Sequence, residues 1–218
     1  MTMKSFLFGC LCLLFVAALP VSAQQHQVQR RTNSVLAFPQ FKDATVHFSF
    51  MRKGQAKANI FLKDSGLLFM QDSTVMQANL GDVISVDFDS VQYMRVSKEL
   101  GMGRVVAGKD NVFLLCVTTL DLKSYNSDAS KGENLPYFNI DGFDMFLEIN
   151  GDFREEAKGY PLQDKYYFLV RGDVVPAVER LVKKKIRADK KGDFKVLMAD
   201  RFWSWKDAES LTDLLDYF

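Results

Sequence analysis

The segment VFLLCVTT, residues 112–119, is the strongest indication of the fold, because it contains neither a charged residue nor a turn signal. A short apolar run rich in β-branched and aromatic residues is typical of a strand buried on both faces. A shorter apolar run, residues 104–107, precedes it, and the intervening GKDN, residues 108–111, is typical of a hairpin loop. We therefore predict a hairpin over residues 104–119 at the centre of a sheet.

Upstream of this hairpin, short segments alternate between apolar and polar residues. In residues 44–51 the side chains of Val46, Phe48 and Phe50 share one face, and Arg52-Lys53-Gly54 then predicts a turn. Similar short strands, separated by turns rich in Gly, Asp, Asn and Ser, are predicted at 58–62, 67–70, 83–88 and 93–96. This spacing predicts an antiparallel β-roll, barrel or sandwich. The large side chains expected inside it are Phe48, Phe50, Phe69, Phe88 and Phe113.

The pattern changes near the C-terminal end. Alternation returns in residues 143–149 and 165–171, and after Gly172-Asp173 the apolar residues follow helical spacing. The predicted stripes are Val178, Leu181, Val182 and Ile186, then Phe194, Leu197 and Met198, then Leu211, Leu214, Leu215 and Phe218. Ser204 followed by Asp207 resembles a capping box. The predicted class is α+β, with a helical tail from about residue 174 packed on the sheet.

The N-terminal segment predicts export. A positive residue, Lys4, precedes an apolar run at 6–19 that is too short to span a bilayer, and Val21-Ser22-Ala23 suits a signal peptidase. The predicted division is a signal peptide at 1–23, a flexible leader at 24–42 and one β-rich domain at 43–218. A lipoprotein anchored through Cys10 or Cys12 is the alternative. Localisation is expected to be secreted or periplasmic, and no later segment predicts an integral membrane protein.

Composition excludes several classes of site. After cleavage Cys116 is the one cysteine left, so no internal disulfide is expected, and two histidines cannot build a His-based zinc centre. A net charge of +1 gives no general case for nucleic acid. The basic cluster Lys183-Lys184-Lys185 is interpreted as a solvated helix face, with an anionic surface as the alternative ligand. No metal or cofactor is predicted.

Four motifs could carry chemistry, and each has a simpler interpretation. Cys116 and His47 are interpreted as a buried apolar residue and a polar-face residue rather than as nucleophile and base. Asp87 and Asp89 could form a carboxylate pair but are expected to be exposed. Arg171-Gly172-Asp173 is expected to be a turn. The carboxylates and amides of 139–156 loosely resemble a calcium loop, and the polar stretch 124–139 predicts a long loop.

Two tryptophans are the candidate ligand-binding residues. Trp203 and Trp205, beside Phe202, could stack on a carbohydrate or another ligand. They lie between two predicted helices, where aromatic side chains often anchor a helix to a sheet, and we favour that packing role.

The C-terminal part carries a family resemblance. The run KYYFLV at 165–170, Gly172-Asp173, the lysine-rich helix, Asp189-Lys190-Lys191, KDAESL at 206–211 and Tyr217 follow one another in this order. The pattern resembles the end of a group of secreted Bacteroidota proteins of unknown function, and residues 60–125 are loosely similar too. The resemblance implies a bacterial envelope or secreted setting and no active site.

These observations lead to one functional expectation and two alternatives. We expect an exported, non-catalytic interaction or scaffold module of the cell envelope, whose partner is an envelope protein. The first alternative is a secreted or periplasmic binding protein for a lipid or small apolar ligand, although large aromatic side chains favour a filled interior. The second is a hydrolase that uses two convergent carboxylates.

Overall fold

The structure, a computed structural model, describes residues 29–135 and 158–218. Within them the chain forms a curled antiparallel sheet, a half-barrel, with short helices at its C-terminal end. The strands are β1 (Arg31–Thr32), β2 (Lys42–Phe48), β3 (Lys53–Phe61), β4 (Gly66–Gln71), β5 (Thr74–Gln77), β6 (Val83–Phe88), β7 (Val91–Ser97), β8 (Gly101–Lys109), β9 (Val112–Leu120), β10 (Tyr160–Val170) and β11 (Asp173–Pro176). The helices are α1 (Leu122–Ser130), α2 (Glu179–Lys185), α3 (Lys191–Met198) and α4 (Ala208–Asp213). The α+β prediction is confirmed.

The predicted hairpin is formed by β8 and β9 and lies inside the sheet. The strand order is β1-β10-β9-β8-β7-β6-β2-β3-β4-β5, with β11 beside β10. Leu114 and Leu115 of β9 are both 0 % exposed although they point to opposite faces, so this strand is buried on both sides as predicted. The hairpin turns at Asp110 and Asn111, which both have positive φ, a conformation that these short polar residues tolerate.

The sheet curls until the turn between β3 and β4 contacts β8 and β9. The Ser65 carbonyl accepts a hydrogen bond from Met102 N at 2.7 Å, and the Leu62 carbonyl accepts one from Leu120 N at 2.7 Å. Gly101 makes this approach possible, because a Cβ there would lie 2.5 Å from the Ser65 carbonyl oxygen. The curl encloses a core whose central members are Ile60, Leu67, Val83, Val86, Phe88 and Met102.

The inner core differs in two places from the expected set of phenylalanines. Phe88 lies in the inner core and is 2 % exposed, and Phe48 and Phe69 pack against this core. Phe113 instead belongs to a second cluster with Leu115, because it points to the opposite face of β9 from Leu114. Phe50 is 89 % exposed, because β2 ends at Phe48 and the chain has already entered its turn. The expectation that Phe50 and Phe113 point inward is wrong.

The helical tail covers the sheet near β9 and β10, as the apolar stripes predict. Val182, Leu211 and Leu214 are 0 % exposed and pack against Leu114 and Phe168. The lysines of α2 lie on its solvated side. The residue predicted to start this stripe, Val178, is 49 % exposed because it precedes the first helical residue.

The cap of α4 differs from the predicted capping box. Asp207 itself is the N-cap, and its carboxylate accepts from Ser210 N at 2.8 Å. Ser204 lies three residues earlier, where its hydroxyl accepts from Lys206 N instead. The hydrogen bonds from Ser210 hold the pKa of the Asp207 carboxyl below its ordinary value.

Two segments expected to lack structure have some. Part of the long loop is the helix α1, capped by Asp121 and held by an ion pair between Arg31 and Asp128 at 2.5 Å. In the predicted leader, residues 29–42 contact the sheet through β1 and through Leu36, which is 4 % exposed. Apolar residues in neither segment follow helix or strand spacing, so tertiary contacts rather than the local pattern hold these segments in position.

Three further predictions, the signal peptide, the strand at 143–149 and the loose calcium motif, lie outside the described residues.

Candidate interaction surface

Trp203 and Trp205 pack against the helical tail. Their rings meet edge to face with centroids 5.5 Å apart, and both side chains contact the buried cluster around Phe168 and Leu214. Trp203 Nε1 is buried without a hydrogen-bond partner among the described residues. An edge-on, half-buried pair offers little flat ring surface to a sugar. The geometry agrees with the packing interpretation, and a ligand-binding role for these tryptophans stays a prediction.

His47 lies on the polar face of β2, where Asp87 and Ser85 of β6 are its neighbours. Its Nε2 is 2.7 Å from Asp87 Oδ2, and the Gln92 side chain donates to the other oxygen of Asp87 at 2.8 Å. Ser85 faces His47 directly across the two strands. Although a serine, a histidine and an aspartate therefore meet here, no side-chain hydrogen bond joins Ser85 to His47 in the part of the chain that the structure describes.

The two aspartates predicted as a possible pair separate. Asp87 belongs to β6, whereas Asp89 follows the end of that strand and adopts a positive φ of 48° in the turn. The regular strand on which the pairing depended therefore ends before Asp89. Arg171 and Gly172 form a turn in the same way, with positive φ at both residues, and Lys185 Nζ donates to Asp173 Oδ2 in an ion pair at 2.7 Å.

Cys116 is buried and poorly suited to act as a nucleophile. Its side chain is 1 % exposed, and burial, followed by the charge of Asp164, raises the pKa of the thiol. Thr118 contacts the sulfur at 3.7 Å and donates to Asp164 at 2.6 Å. Burial raises the pKa of the neighbouring Tyr166 to about 12. The Cys116 thiol and the Tyr166 phenol therefore remain neutral near pH 7, which fits the predicted packing role of Cys116.

A different feature is the turn between β2 and β3, where the fold explains the backbone conformation but not the residue types. Ser49, Phe50 and Met51 form this turn, and the side chains of Phe50 and Met51 are 89 % and 96 % exposed. Both residues have positive φ, 59° and 57°. Bulky L-residues rarely adopt this left-handed conformation, because the Cβ approaches the following carbonyl oxygen. We call Phe50 and Met51 the hairpin tip.

Other tight turns in the described residues use side chains that suit positive φ. Five of the remaining six non-glycine residues with positive φ are short and polar: Ser65, Asp72, Asp89, Asp110 and Asn111. The sixth is Arg171, which is followed by a glycine. At the hairpin tip, by contrast, two large apolar side chains occupy the strained positions and contribute almost no burial. Strained backbone and exposed apolar side chains both occur at functional surfaces, so the hairpin tip is the candidate interaction surface of the described residues.

The surroundings of the hairpin tip combine apolar and basic groups. Met51 lines an open cleft of about 380 Å³ together with Phe48 and Ile84, and Ile84 is 42 % exposed. Arg52 and Lys53 line the same cleft, and the Arg52 guanidinium lies 5.9 Å from the Phe48 ring centre. Neither cation forms an ion pair within the described residues.

The adjoining turn before β6 fixes the position of the hairpin tip. Ser49 N donates to the Asp82 carbonyl at 2.9 Å, and the Ser49 hydroxyl contacts the same oxygen at 3.3 Å. Phe48 N donates to the Arg52 carbonyl at 2.8 Å. The hairpin is thus tied to its neighbour below the tip, while the tip itself projects from the sheet. Asp82 brings one exposed carboxylate to this region.

Sequence reasoning placed this turn too late, at residues 52–54. The run from Val46 to Phe50 keeps its alternation through the turn, so the pattern gave no reason to end the strand at Phe48. The signal lies in the register instead: with His47 paired to Lys53, residues 48–52 must make the turn, although they include no Gly, Asn or Asp.

Comparisons of the chain with protein-family models, with curated proteins and with solved structures give no match.

Proposed function

We propose that this chain is an exported, non-catalytic interaction module of the bacterial cell envelope, and that the hairpin tip is its contact surface. The observation that carries the proposal is the simultaneous strain and exposure of Phe50 and Met51. A fold selected for stability alone would place Asn or Gly here, as such turns commonly do. The export part of the proposal rests on the N-terminal sequence and on the resemblance to secreted proteins.

The residues singled out as possible catalytic groups do not form a catalytic arrangement among the described residues. The thiol of Cys116 is buried, His47 contacts Asp87 without a side-chain hydrogen bond to Ser85, and Asp89 lies in the turn after the strand that holds Asp87. No group of three or more acidic, histidine or cysteine side chains in the described residues could hold a metal ion. No described helix is long and apolar enough to cross a membrane.

Binding of a small apolar ligand is the second candidate, and one observation favours a limited form of it. The half-barrel core is filled by side chains such as Ile60, Leu67 and Met102, each at most 1 % exposed. A ligand would therefore use the cleft beside Met51, whose volume of about 380 Å³ lies near the lower end for small-molecule sites. In this version too, the hairpin tip forms part of the binding surface.

Native mass spectrometry of the processed protein, purified gently from the envelope of the cells that export it, tests the proposal. We expect a bound partner or added mass with the wild-type chain, and its loss in the double variant F50N/M51G. Phe202, 78 % exposed in the segment after α3, provides the control, because F202N removes an exposed aromatic ring elsewhere. A bare wild-type monomer, or equal retention by F50N/M51G, would contradict the proposal.

A further inference from the structure

We infer that the hairpin tip docks on an anionic phospholipid surface, an inference that rests on the function proposed above and names its partner. The first argument is the size of the apolar area. A stable protein–protein interface buries about 800 Å² on each partner and involves about 20–30 residues a side. The exposed apolar groups here are two consecutive side chains on a projecting turn, with Ile84 beside them. This area suits insertion into a lipid interface better than a protein partner.

The second argument is the order of apolar and charged groups. Phe50 and Met51 form the outermost part of the hairpin, and Arg52 and Lys53 follow directly where β3 begins. If the tip enters the boundary between headgroups and acyl chains, both cations reach the level of the lipid phosphates. Long basic side chains reach such positions by extending along apolar surface, as Arg52 does over Phe48.

The third argument is charge complementarity. Arg52 and Lys53 have no carboxylate partner within the described residues, while the adjoining turn contributes one acid, Asp82. Asp87 contacts His47 Nε2 at 2.7 Å but pairs in register with Thr45 of β2, farther from the turn. The turn and the first residue of β3 therefore carry two cations against the one carboxylate of Asp82, and each basic residue near an anionic membrane adds to attraction. Two inserted side chains and two cations give reversible association rather than permanent anchoring.

Vesicle flotation with the processed full-length protein tests this inference. One set of vesicles contains about three parts phosphatidylcholine to one part phosphatidylglycerol, and the other contains phosphatidylcholine alone. We expect binding to the anionic vesicles to fall at least tenfold in F50N/M51G and to stay within twofold of wild type in F202N. Raising salt from about 0.1 M to 0.5 M should weaken binding, because screening shortens the reach of the cations.

Charge variants separate the hairpin tip from the other basic surface. The double variant R52Q/K53Q should lose several-fold in binding to anionic vesicles. Its matched control, K183Q/K184Q, removes the same charge from exposed lysines of α2 and should bind like wild type. The reverse result, with K183Q/K184Q impaired and the tip variants normal, would assign membrane binding to α2 and overturn the inference.

Two outcomes distinguish failure of this inference from failure of the proposed function. If wild-type protein does not float with either vesicle, the lipid inference is refuted. The interaction module still stands in that case when a protein partner captured by the wild type is lost in F50N/M51G. If neither vesicles nor a protein partner respond to F50N/M51G, both the inference and the proposed function fail.

Discussion

Replacing Phe50 with Asn and Met51 with Gly should stabilise the protein. Each bulky residue in left-handed conformation costs about 1–2 kcal/mol. Asn relieves part of that strain. Gly removes the strain, but it costs roughly 0.5–1 kcal/mol because glycine loses more backbone entropy on folding. Both side chains are almost fully exposed, so little burial is lost. We expect a net gain of about 1–2 kcal/mol in the free energy of unfolding, or about 2–8 °C in Tm for a chain of this size.

Thermal unfolding followed by circular dichroism, together with urea titration, measures this gain. The control F202N should change stability by less than about 0.5 kcal/mol, because Phe202 is exposed without a positive φ. A Tm that stays constant or falls in F50N/M51G would refute the reasoning, since it would mean that the tip residues contribute to the fold. A gain in stability with a loss of binding is the pattern expected of a functional surface.

Three further outcomes follow from buried and paired groups. The hydrogen bond from Arg31 holds the pKa of Asp128 below its ordinary value of 3.8. The stabilisation of the folded state by this pair is therefore present above pH 3.8 and is lost as pH falls through the lower pKa of the folded state. D128N should therefore show a smaller loss of stability in urea titrations between pH 5 and 2 than wild type, and an equal loss would contradict the pairing. Burial raises the pKa of Tyr166 to about 12, so its contribution is complete below about pH 10 and lost as pH rises through about 12. Y166F should reduce both alkaline unfolding and the late tyrosinate absorbance, whereas a titration midpoint near 10 for that residue would show that it is solvated. Cys116 should react with a thiol reagent at least 100-fold more slowly in the native state than in urea, and fast native labelling would contradict its burial.

The local pattern predicted the parts of the fold that burial controls. Leu114, Leu115 and Val182 are fully buried where the period of the sequence placed them, because apolar spacing follows strand and helix geometry. The helix α1 was missed, because its stability comes from the Asp121 cap and from the Arg31–Asp128 pair, which joins residues 97 positions apart. Such long-range contacts leave no period in the sequence.

The position of Phe50 was predicted incorrectly for a related reason. Alternation assigned Phe50 to the inner face, while the hairpin register set by the pairing of His47 with Lys53 placed it in the turn. Trp203 and Trp205 were identified as notable residues, and their packing depended on how the tail docks. Residue type therefore indicated where large aromatic groups lie along the chain but not which of them meet solvent.

Local residue patterns were enough to establish the secondary-structure period, the buried character of β9, the amphipathic tail and the exposure of the lysines in α2. Each of these follows from neighbouring residues, whose spacing fixes which side chains share a face. Three features depend on long-range contacts: β2 lies between β6 and β3, the turn between β3 and β4 closes on β8 and β9, and Phe50 and Met51 project from the sheet. Strand order and register depend on pairings between distant residues, and the free energy of those pairings is set by the whole core.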